Sequence, residues 1–65
     1  MDRRAKDFLI GFERAAWLTR RIREAPPSHT TPEDYLKDVA ELNEDSDDLV
    51  RRGLAVGCLA AVGVV

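Results

Sequence analysis

Sixty-five residues make one domain at most, and a chain of this size buries only about 60% of its unfolded surface on folding, so its core needs support from elsewhere. One cysteine and one histidine exclude an internal disulfide framework and a zinc site built from Cys and His, which leaves oligomerisation as the available support. The net charge of −2 hides an asymmetry: residues 1–25 carry seven basic and four acidic side chains, net +3, residues 26–50 carry one basic and eight acidic, net −7, and residues 51–65 add two arginines.

The start, MDRRAKDFLI, mixes acidic with basic residues and has no apolar run of signal-peptide length, so no secretion signal and a cytoplasmic location are expected. Residues 2–24 contain no proline and a single glycine. On a wheel of about 100° per residue, Ala5, Phe8, Leu9, Phe12, Ala15, Ala16, Leu18 and Ile22 fill one apolar arc, which predicts a first helix over 2–24. Ile10 and Trp17 break the pattern. They lie seven apart, nearly eclipsed, on the polar side beside Arg14 and Arg21, where arginine can stack on the indole. Trp is a favoured interface anchor, so Ile10, Arg14, Trp17 and Arg21 are candidate partner-binding residues. The run TRRIR, with Arg3, Arg4 and Arg14, could instead neutralise phosphates. Against a nucleic-acid partner stand a pI of about 5.2, the acidic segment that follows, and the lack of a base-reading Asn or Gln on this helix. Pro26 and Pro27 stop the helix, since proline has no amide proton and disfavours helical geometry in the residue before it.

His29 falls in the polar connection and reads as a surface residue. Thr31 can cap, Pro32 fits a first turn, and Glu33 and Asp34 favour the positive end of the dipole, so a second helix is expected over 32–42. Tyr35, Leu36, Val39, Ala40 and Leu42 form its apolar side, and Asn43 is its expected stop.

The following NEDSDD holds Glu44, Asp45, Asp47 and Asp48, a patch able to meet a basic surface on a partner, with Asp45 or Ser46 as cap of the next helix. Asp45-Ser46-Asp47 resembles the opening of a calcium loop, but Val50 and Val56 stand where glycine and the bidentate Glu belong, so no metal site is expected.

A third helix is expected over 46–62, fraying at Gly63. Val62, Val64 and Val65 would suit a strand, but the alanines and leucines before them favour helix. The apolar run Gly53–Val65 is 13 residues, about 20 Å as helix against a hydrocarbon core of about 30 Å, so a membrane is not the expected partner. Gly53, Gly57 and Ala61, four apart, make a ridge of small residues over which another backbone can approach closely, with helix 3 either central and packed by helices 1 and 2 or shared with a second copy across a two-fold axis. Cys58 lies inside this run, where a neutral, inert thiol is expected.

The expected fold is therefore all-α, one three-helix domain over 1–65 with helix 3 central, and a homodimer. The chain has no catalytic signature and little material for a walled pocket, so neither an enzyme nor a cofactor is expected. The leading functional expectation is a small protein-binding regulator or inhibitor that acts sterically on a larger protein. Eight arginines against two lysines is a coding habit of GC-rich bacteria and their phages, and on that habit, small size and absent chemistry a phage or mobile-element origin is expected. The second expectation is a DNA-binding regulator using helix 1 arginines, and the third a membrane-associated protein using the apolar C-terminus.

Overall fold

The computed structural model of the chain describes residues 2–63 and comprises three helices, α1 (Arg3–Glu24), α2 (Pro32–Asn43) and α3 (Leu49–Ala61). The described residues contain no strand, and Val64 and Val65, which had a strand-like composition, lie outside them. The architecture is all-α with three helices, and the long axis of 39 Å follows from the 22 residues of α1, about 33 Å of helix.

Each helix begins where a side-chain oxygen satisfies amide protons that have no carbonyl partner. Asp2 is the cap of α1 and not its first residue: its Oδ1 accepts from the amides of Arg4 at 2.7 Å and Ala5 at 3.0 Å. Thr31 Oγ1 accepts from the Asp34 amide at 3.1 Å, with Pro32 in the first turn of α2. That helix ends one residue later than expected, because Asn43 stays within it and donates from Nδ2 to the Val39 carbonyl at 2.7 Å.

The largest departure is the start of α3, three residues later than the expected 46. Ser46 and Asp48 both bond locally instead of continuing a helix. The Ser46 amide donates to the Asn43 carbonyl at 3.2 Å, and Ser46 Oγ accepts from the Asp48 amide at 3.1 Å. Asp48 Oδ1 then accepts from the Val50 amide at 2.9 Å, so Asp48, and neither Asp45 nor Ser46, is the cap. At the other end the Val62 amide donates to the Cys58 carbonyl at 3.3 Å, and Gly63 turns the chain with φ of +79°, a conformation glycine adopts without strain.

The third helix touches both others, while α1 and α2 hardly meet. One side of α3 carries Ala55 and Cys58, which join Leu36 and Ala40 of α2 and Ala15 of α1 in the buried core; Leu18, Ile22, Val39, Leu54, Leu59 and Val62 pack around them. Another side carries Gly53 and Gly57 against α1. The residues of α1 buried there are Gly11, Ala15 and Thr19, themselves four apart, so a ridge of small side chains on each helix lets the two backbones approach closely. Gly53 meets the backbone of Phe8 and Phe12, Gly57 meets Phe12 and Ala15, and Arg23 donates from Nη2 to the Ala61 carbonyl at 3.3 Å. Sequence number rises together along both helices, so α1 and α3 run in the same direction, and Arg23 places a cation at the negative end of α3.

Candidate protein-interaction surface

Close approach over small residues leaves the large ones beside the contact. The ridge of α1 lies toward one edge of the expected apolar arc, beside Leu18 and Ile22, and α2 packs on a different side of α3. Part of the arc is consequently on the surface: Leu9 is 42% exposed, Phe12 39%, and Ala5 and Ala16 are also exposed. On α2, Leu42 was expected on the buried side and is 83% exposed. At about 100° per residue it lies some 120° from Leu36, which is fully buried.

Between α1 and α3, on the side α2 does not cover, runs a groove lined by Phe12, Ala16, Thr19, Gly57, Ala60 and Ala61. Its walls are apolar except for Thr19, and the Thr19 hydroxyl donates to the Ala15 carbonyl at 2.7 Å. A groove with its one hydroxyl proton already committed can be filled by apolar side chains, but offers little to orient a polar small molecule.

Of the candidate residues on α1, Trp17, Arg14 and Arg21 are exposed, Trp17 by 59%, while Ile10 is half-buried. The Arg21 guanidinium carbon sits 5.5 Å from the centre of the indole, within cation–π range. Trp17 thus stands beside Arg21 on the outside of a helix whose inner face packs on α3. Gly53 and Gly57 are buried against α1 of the same chain, and Ala61 is half-buried at the end of the groove. The small-residue ridge is thus occupied within one chain. What the sequence did not single out was the matching Gly11–Ala15–Thr19 ridge of α1, although its spacing of four was there to be seen.

The acidic residues Glu44, Asp45, Asp47 and Asp48 are all exposed in the connection from α2 to α3. They are not equivalent. Asp48 has a structural task as cap, and Asp48→Ala is expected to cost about 1 kcal/mol, read as a lowered urea midpoint. Asp47→Ala should change stability by less than about 0.5 kcal/mol. Equal effects from the two would contradict the capping geometry.

His29 is exposed in the connection from α1 to α2, whereas Cys58 is buried among α3, α2 and α1 and its thiol is pushed above its ordinary value by burial, so it stays protonated near neutral pH. Among the described residues no three His, Cys, Asp or Glu side chains converge as a metal-holding group, and no helix is long and apolar enough to cross a membrane. The chain matches no protein-family model, no curated protein and no solved structure.

Proposed function

We propose that this chain is a non-enzymatic protein-binding regulator that acts sterically on a larger protein. The observation that carries this reading is Trp17, exposed at mid-helix with the Arg21 guanidinium in cation–π range of its ring. An indole and a guanidinium already arranged on a rigid helix lose little conformational entropy on binding, and Trp and Arg dominate the energetics of protein interfaces. Arg14, one turn before, extends the same side and adds orientation. The acidic connection supplies complementary charge toward a basic region of the partner through Glu44, Asp45 and Asp47.

The test is differential capture from the cells that express the chain natively, using wild type, Trp17→Ala and Lys37→Ala as baits. A partner retained by Lys37→Ala and weakened tenfold or more by Trp17→Ala, roughly the loss a hot-spot side chain causes, is the expected result. Trp17→Ala should leave the helical circular dichroism intact, since the indole is 59% exposed and is not part of the core cluster. Equal capture by all three baits would overturn the assignment to Trp17. The same proteins titrated against duplex DNA at low salt should show no steeply salt-dependent binding, and tight binding there would move the function to the arginines of α1.

A further inference from the structure

Two features sit apart from the Trp17 surface and fit each other. The groove between α1 and α3 is apolar and two arginines flank it: Arg20 follows Ala16 by one turn, and Arg23 reaches the Ala61 carbonyl at the groove's end. Glu13 is the one acidic residue of α1 between Asp7 and Glu24. Leu42 is the converse, an apolar side chain 83% exposed with Asp38 one turn before it, Glu41 beside it and Asp45 three residues after, all exposed. Over its length α1 carries seven basic and three acidic residues, whereas residues 32–48 carry one basic and eight acidic.

We infer that the groove binds the Leu42 end of α2 from a second copy of this chain. Within one chain the two patches do not meet, because α2 contributes nothing to the groove and Leu42 remains open to solvent. Between chains the apolar side chain enters an apolar groove while Asp38, Glu41 and Asp45 come near Arg20 and Arg23, so burial and charge favour the same docking. A groove-to-groove dimer would instead bring arginine against arginine. The contact joins two different surfaces, groove of one copy to α2 of the next, and so goes beyond the partner surface centred on Trp17; it leaves Arg14, Trp17 and Arg21 free and draws only Asp45 from the acidic connection.

Two variants at exposed positions test this. Leu42→Glu removes the entering side chain, and Ala16→Glu fills the groove with a charge; both are helix-compatible and both positions are exposed. By sedimentation or light scattering over about a hundredfold concentration range, wild type should rise from the 7.3 kDa of one chain toward higher mass, and each variant should need tenfold or more higher concentration to do so. An equimolar mixture of the two variants should associate where neither does alone, and stop at dimer, because only the groove of one and the α2 end of the other remain. Trp17→Ala should associate as wild type does, which separates failure of this inference from failure of the proposed function. A wild type that stays at one chain throughout overturns the inference. So does an Ala16→Glu variant that fails to associate and is not rescued by Leu42→Glu, since the groove would then face another groove. Circular dichroism of both variants checks that they are folded.

Discussion

Alanine at Gly11 or at Gly53 is expected to abolish cooperative folding of this chain. On helix propensity alone either change should stabilise, by about 1 kcal/mol, since both glycines lie in helix interiors. The packing opposes it. A methyl group on Gly11 would fall onto the carbonyl oxygen of Val50 and lie 2.7 Å from the Leu54 nitrogen; one on Gly53 would fall onto the carbonyl oxygen of Phe8 and lie 3.1 Å from the Phe12 nitrogen. These neighbours are backbone, so no rotamer change relieves the overlap, and α1 must move away from α3 along their whole contact. Overpacking costs about 1–3 kcal/mol even where side chains can adjust. A domain of this size has about 3–5 kcal/mol in total, so separating its two principal helices removes most of it.

Thermal unfolding followed by circular dichroism reads the result, with two graded controls. Gly57→Ala meets the Ala15 methyl at 2.5 Å and the Phe12 carbonyl oxygen at 3.2 Å, a lesser overlap that should lower the midpoint without abolishing the transition. Gly63→Ala meets no atom within 4 Å but must hold φ of +79°, and should cost about 1 kcal/mol. If Gly11→Ala raised the midpoint, α1 and α3 would not be in contact over that glycine.

The same contact explains how far the sequence could be read. Helix content was legible because the signals are local: Thr31-Pro32 followed by two acids starts α2, and Pro26-Pro27 closes the stretch after α1. The position of α3 between the others was legible from its apolar character on every side. The start of α3 was not, since Ser46 and Asp48 are equally good caps by residue type and only the chain's path selects between them. The ridge Gly53–Gly57–Ala61 was visible as a place of close approach, but its occupant was not, because a small-residue ridge has no feature that distinguishes a helix of the same chain from one of another. The groove was hidden for a related reason. An apolar arc spanning half the wheel carries no mark of where its contact lies, and packing on Gly11, Ala15 and Thr19 buries one side of it and leaves Leu9, Phe12 and Ala16 exposed on the other. Of the candidate interaction residues, Trp17 stood out by type and position, while Leu42 was concealed in a pattern that placed it with Leu36.

Those two leucines are the sharpest test of which face of α2 is inside. Leu36 is fully buried and, among the described residues, is with Cys58 one of the largest side chains completely removed from solvent. Leu36→Ala should cost about 2–5 kcal/mol, the lost transfer energy plus the cavity left among Ala15, Ala40, Ala55 and Cys58, whose short side chains cannot close around it. In a domain holding about 3–5 kcal/mol this leaves a chain largely unfolded at room temperature. Leu42→Ala, six residues away on the same helix, should change stability by less than about 0.5 kcal/mol, read from the urea midpoint at low protein concentration, where self-association adds nothing to stability. At high concentration the order of magnitude for Leu36 is unchanged, but Leu42→Ala should lose the concentration-dependent part of the midpoint that wild type gains by mass action. Similar losses for the two leucines at low concentration would mean that α2 is rotated about its axis with Leu42 toward α3, and the apolar side chain offered to a second copy would no longer exist.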